Sequence, residues 1–281
     1  MRLLSALPGE GVAWIRRAFQ VFFRQPFGLA GLFSICALIA YAVSWIPVIG
    51  GALLPILAPT GALLFMIASR RAASGERPLP ETVATLLAGG RSRLIELLKL
   101  GLAYFVASLI AMFLFMAVDG GATAAWMDSV SSAASAPKPA PPPLPDSRLL
   151  FASVFRLALL ALLSVPFWHA PALVFWGRQG WAKSLFFSTL AIWRSKGAFA
   201  VYGLCWFGLS LVFAMVFSIL VALLGVPQTP SLSAGLVVVS AISFYLTLMY
   251  TSIWFTVAGC FAIDDDEPPL PAPPTDKEKL P

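Results

Sequence analysis

The chain has 281 residues, of which 59% are apolar and only 11% charged, and its mean hydropathy is +0.86. No water-soluble chain of that length could cover such a composition with a polar surface, so lipid must be its solvent. A net charge of +6 with a pI near 9.5 raises the question of nucleic acid, but the basic residues hug the apolar segments, where anionic lipid is the simpler partner, and the reading is no nucleic acid.

The first segment, 1–8, is too short to hold the apolar core of a cleavable signal, so the first span is read as an uncleaved membrane helix. From Val12 onward, apolar Val12, Ile15, Phe19, Phe22 and Phe23 recur at helical spacing, with Arg17, Gln20 and Arg24 on the other side and Trp14 expected at headgroup depth. That pattern predicts a helix lying on the inner leaflet and touching its anionic lipid through Arg16, Arg17 and Arg24. Apolar stretches then follow at 27–45, 51–69, 94–118, 149–176, 198–224 and 236–262, each near or above the roughly 20 residues that cross a hydrocarbon core of about 30 Å. Helices are the expected form, because lipid-exposed backbone must bond to itself. The fold class is therefore an all-α membrane protein with six transmembrane helices. Two further in-plane helices are expected, one opening at Pro80-Glu81 with Val83, Leu86 and Leu87 on a face, the other over 181–196 with Leu185, Phe186, Thr189, Ile192 and Trp193 on a face.

Sixteen of the nineteen Lys and Arg residues fall on one side of this layout. They precede the first span, join the second to the third and the fourth to the fifth, and close the tail; the opposite loops hold Lys138 and Arg148 alone. The positive-inside rule then puts both termini in the cytoplasm. The loop 119–148 crowds its prolines into its second half and is expected to be external, extended and mobile. The tail 264–281, acidic and then proline-rich, is expected to be disordered, which divides the chain into a cytoplasmic amphipathic segment at 1–26, a membrane domain at 27–263 and that tail. A layout of basic in-plane helix, span, outer turn and returning span recurs three times, with Gly31-Leu32, Gly101-Leu102 and Gly203-Leu204 in register.

Reactive chemistry is sparse. The sequence holds no P-loop, nucleophile elbow, His-Glu-x-x-His or paired intramembrane carboxylates, so no catalytic residue, metal ligand or cofactor is assigned, and the protein is read as not an enzyme. Cys36, Cys205 and Cys260 lie within spans, without the count or spacing of a disulfide framework, and read as packing residues. His169 stands between Pro166 and Pro171, with no ligand at metal spacing; it is expected to hydrogen-bond the backbone freed by the prolines or to line a cavity. Arg156 lies eight residues after Arg148, about 12 Å into its span at 1.5 Å per residue. Its alternatives are snorkelling, pairing with Asp119 or Asp146, and contact with an anion or lipid headgroup in a cavity open to the outside. On the sixth span Ser240, Ser243, Thr247, Tyr250, Thr251 and Trp254 share a face; either that face bonds to other helices, or Ser243, Thr247, Tyr250 and Thr251 line a cavity.

Certain stretches carry a likeness: Trp14-Ile15 with Phe22-Phe23 and Pro26, Ile46-Pro47 and Gly50, Leu57-Ala58-Pro59, Gly75-Glu76-Arg77-Pro78, and above all Ala170-Pro171-Ala172-Leu173-Val174 with Ala182, Ser188 and Tyr202-Gly203. On these the chain resembles an uncharacterised six-helix inner-membrane family of proteobacteria over most of its length, the outer loop and the tail excepted. Members commonly end the last span with paired tyrosines, whereas here Tyr250 is followed by Trp254. The layout is also similar to the membrane domain of some glycerophosphodiester phosphodiesterases, without their catalytic domain. The resemblance implies location and topology and lends no activity. The expected function is a structural or interaction role in envelope or lipid homeostasis, with lipids and either further copies of the chain or other membrane proteins as partners. The alternative is a small transporter or lipid-handling channel, since prolines at 47, 55, 59, 166 and 171 suit broken helices around a transport site as well as static kinks.

Overall fold

The computed structural model describes residues 2–47, 49–135, 144–223 and 232–263. The acidic and proline-rich tail, most of the loop prolines and the last outer turn therefore lie outside the described residues. The helices are α1 (Glu10–Arg24), α2 (Pro26–Ser44), α3 (Ile49–Ala73), α4 (Glu81–Ala88), α5 (Gly90–Asp119), α6 (Ala122–Ser135), α7 (Ser147–Phe167), α8 (Ala170–Phe175), α9 (Trp181–Arg194), α10 (Lys196–Leu223) and α11 (Leu232–Cys260). Six of them, with α7 and α8 counted as one unit, are long and apolar enough to cross a bilayer. The all-α, six-span expectation holds. Their flanks expose large apolar side chains such as Phe27, Leu162 and Leu204, as lipid-facing helices must.

The core sits toward one end of the bundle, where α1 packs on α10 and α11, α4 on α3, and α9 on α7 and α8. Trp14, Phe22, Leu29, Met66, Leu173 and Trp254 belong to its larger cluster; a smaller one joins Leu63, Leu97, Leu100, Val174 and Phe175 of α3, α5 and α8. At the same end a short antiparallel ladder pairs β1 (Arg2–Leu3) with β2 (Phe261–Ala262), Arg2 opposite Ala262 and Leu3 opposite Phe261. The two ends of the described chain thus meet, which an even number of spans permits. Arg70, near the end of α3, lies 5.6 Å from the rings of both Trp176 and Trp254 and ties three helices together there.

Several expectations are corrected. Helix α1 exists, but its buried face is Gly11, Trp14, Ile15, Ala18, Val21 and Phe22, turned against α10 and α11, with Val12 and Phe23 left exposed. Trp14 is fully buried against the protein, its ring 5.3 Å from Phe199 and 6.0 Å from Tyr202. Gly11 allows this docking, because a Cβ there would lie 2.4 Å from the Ala198 carbonyl oxygen. Helix α9 also packs on the bundle through small residues. It buries Ser184, Ser188 and Ala191 and leaves Phe186 and Trp193 63% and 72% exposed. The loop after α5 is not wholly extended, since its first half forms α6. The recurring Gly-Leu steps are not equivalent in packing either: a Cβ on Gly101 would strike the Ile56 carbonyl at 2.1 Å, Gly31 has only a Leu79 methyl at 3.8 Å, and Gly203 faces open space.

Candidate functional site

The fourth span is broken where its prolines predict. Neither Pro166 nor Pro171 carries an N–H, and the helical ladder lapses between Phe167 and Ala170. In an unbroken helix the His169 N–H would donate to the Val165 carbonyl. Here the Ser188 hydroxyl of α9 is spliced between them: it accepts from the His169 N–H at 3.0 Å and donates to the Val165 carbonyl at 3.0 Å. The residue that serves the freed backbone is therefore Ser188, not the His169 imidazole.

The imidazole has another role. Thr256 of α11 donates its hydroxyl proton to the Ile253 carbonyl (2.8 Å), so its lone pairs accept from Trp168 Nε1 at 3.0 Å and from His169 Nε2 at 3.2 Å. This arrangement assigns the ring proton to Nε2 and leaves Nδ1 an acceptor without a hydrogen-bond partner. His169 is completely buried, with Phe199 and Phe261 rings at 5.6 and 5.4 Å. Among the described residues no group of three His, Cys, Asp or Glu side chains is placed to hold a metal.

At the opposite end, Arg156 borders a recess of about 290 Å³ with Phe115, Thr123, Trp126, Leu149 and Ser153. Its guanidinium lies 5.4 Å from the Phe115 ring centre. The carboxylates that might have neutralised it are engaged elsewhere: Asp119 accepts from the Thr123 N–H at 3.2 Å, and Asp146 caps α7 by accepting from the Leu149 N–H at 2.7 Å. Helix α6 supplies Thr123 and Trp126 to the wall, a contribution invisible while that segment reads as a loop.

The sixth-span hydroxyls turn inward upon their own helix. Thr247 and Thr251, both fully buried, donate to the carbonyls of Ser243 (2.7 Å) and Thr247 (2.8 Å), and the Tyr250 ring packs 5.1 Å from Phe65. The bonds that cross between helices come from residues off that stripe. Ser252 donates to the Met249 carbonyl, which leaves it to accept the Tyr202 hydroxyl at 2.6 Å. Ser252 and Thr256 are thus polar residues that sequence reasoning passed over, marked only by a hydroxyl in an apolar setting, and Ser188 entered it only through the family likeness, with no role assigned. On α1, Arg16, Arg17 and Arg24 are exposed along the edge that also carries Val12 and Phe23.

No protein-family model matches the sequence, and no solved structure matches the fold. A probable inner membrane protein of Burkholderia thailandensis is 33% identical over 283 residues, an alignment that covers 99% of this chain and the whole of that protein. Identity of that extent, joined to six helices able to cross a bilayer, makes this chain a member of the same family, a multi-pass protein of the inner membrane.

Proposed function

We propose that the protein is a non-enzymatic membrane partner in envelope or lipid homeostasis, whose three in-plane helices engage the anionic lipid of the cytoplasmic leaflet. The observation that carries this reading is the division of faces on α1 and α9. Each packs on the bundle through small or interior residues and presents cations beside aromatics outward: Arg16, Arg17 and Arg24 with Phe23, and Lys183 and Arg194 with Phe186 and Trp193. Such an edge suits the boundary between headgroups and acyl chains. In nanodiscs containing phosphatidylglycerol the full-length protein should melt higher than in phosphatidylcholine alone. Replacing Arg16, Arg17 and Arg24 together by Gln should erase most of the difference, at about 1 kcal/mol per arginine near an anionic surface. Equal melting in the two lipids would sink the proposal.

A second reading, lipid handling or transport, is favoured by the recess at Arg156, a cation beside a cavity with no carboxylate paired to it among the described residues. In a variant lacking Cys36, Cys205 and Cys260, a cysteine at position 156 should react with an impermeant thiol reagent added from outside, because water-exposed thiolates react readily. Slow labelling, with Arg156→Leu as stable as the parent or more so, would eliminate a water-filled vestibule.

A further inference from the structure

The end of the bundle opposite Arg156 holds a cavity of about 570 Å³, lined by Gly89, Ser92, Arg93 and Glu96 from the α4–α5 corner and by Arg178 and Gln179 from the α8–α9 link, among others. Two sequence-distant turns thus bring two guanidinium groups to one concave space. Helix α5 spans 30 residues, about 45 Å at 1.5 Å per residue, against a hydrocarbon core of about 30 Å. That surplus length allows its charged first turn, Arg91 to Arg93, to overhang the core at the level of the lipid phosphates.

The acid in this cavity is already committed. Glu96 Oε1 lies 2.6 Å from Lys99 Nζ, and its Oε2 accepts the Trp181 N–H at 2.9 Å, so a carboxylate from α5 closes the N-terminus of α9. The cations are held differently. Arg93 is braced over the Phe175 ring at 5.1 Å. Arg178 is exposed and, alone among the described non-glycine residues, adopts a left-handed backbone with φ of 50°; it has no hydrogen-bond or ion-pair partner among the described residues. That conformation turns the chain out of α8, with the Gln179 N–H donating back to the Leu173 carbonyl at 3.3 Å, and leaves the guanidinium on the rim of the cavity. The side-chain amide of Gln179, beside it, has a buried oxygen position without a partner, and an amide can present either its oxygen or its nitrogen there. Ser92, which also lines the cavity, brings a hydroxyl to the facing wall.

We infer that this cavity binds a phosphate group, gripped between Arg93 and Arg178. Guanidinium matches phosphate in charge and in paired hydrogen bonds, and two of them on separate turns suit an anion with several oxygens better than a single carboxylate. The phosphate comes either from a phospholipid headgroup entering from the bilayer or from a free anion in the adjoining water. This inference does not depend on the α1 and α9 contacts with the leaflet, because none of Arg16, Arg17, Arg24, Lys183 or Arg194 lines the cavity.

The test uses full-length protein stripped of lipid in a non-ionic detergent, titrated calorimetrically with inorganic phosphate in one arm and dihexanoyl-phosphatidylglycerol in the other. The informative variant is Arg178→Gly: glycine takes a positive φ freely, so the melting temperature should hold or rise while the guanidinium is lost. Arg93→Gln is the second variant. At least a tenfold loss of affinity in each is expected, for whichever probe binds. Binding of inorganic phosphate identifies a free anion as sufficient; binding of the lipid alone identifies a headgroup. Failure of both probes to bind the unaltered protein, or an affinity in Arg178→Gly within twofold of the parent at undiminished melting temperature, overturns the site.

Discussion

Ser188 shows how much can hang on one hydroxyl. It pairs a donor and an acceptor of a broken helix while itself belonging to another, so removing it strands both in a setting without water. Ser188→Ala should lower unfolding free energy by about 1–3 kcal/mol, the range for buried groups left unsatisfied, read as a lower melting temperature in detergent. Ser184→Ala is the control, one turn away on the same buried face: its hydroxyl donates to Gly180 at the start of its own helix, and the change should be small. Pro166 and Pro171 made the break legible from sequence. The repair was not, because its donor lies 23 residues from Val165 and nothing in the spacing singles out Ser188 among the other hydroxyls of α9.

Helices were legible as elements, and their faces were not. In water, burial follows the apolar stripe; in lipid the outward face is also apolar, and close approach is governed by small residues. Hence α9 turns Ser184, Ser188 and Ala191 inward, and α1 finds α11 through a glycine. A Cβ on Gly259 would lie 2.4 Å from Trp14 Nε1, so Gly259→Ala should destabilise by about 1–3 kcal/mol, as overpacking does. Trp14→Phe replaces the indole by one smaller ring, without the Nε1 and Cζ2 edge that the new methyl would meet. The loss of stability in the double variant should therefore be smaller than the sum of the two single losses, which a double-mutant cycle in a reversible denaturant would measure. Strict additivity would mean that α1 docks elsewhere.

For the molecule as a whole, the number of spans was the most readable property, because length and hydropathy are set by the bilayer rather than by any partner surface. The charge split carries the orientation. Reporter fusions after Ile263 and within 71–77 should read cytoplasmic and fusions near Ala136 external; a C-terminus reading external would overturn the assignment. The cavities were unreadable for a different reason. Arg93 and Arg178, or Arg156 and Trp126, are neighbours only through the tertiary path of the chain.

The ladder that joins Leu3 to Phe261 also sets an order of manufacture. A ribosome releases α1 first and α11 last, at about 5–20 residues per second, so the face bearing Trp14 waits roughly ten to fifty seconds for its partner. During that interval a basic, aromatic-edged helix has one natural resting place, the membrane surface. Its final docking is then a mark of completion: in a nascent chain halted before the sixth span Phe199 and Tyr202 of α10 are there to meet Trp14, but the side of the indole that rests on Gly259 has no partner until α11 is made.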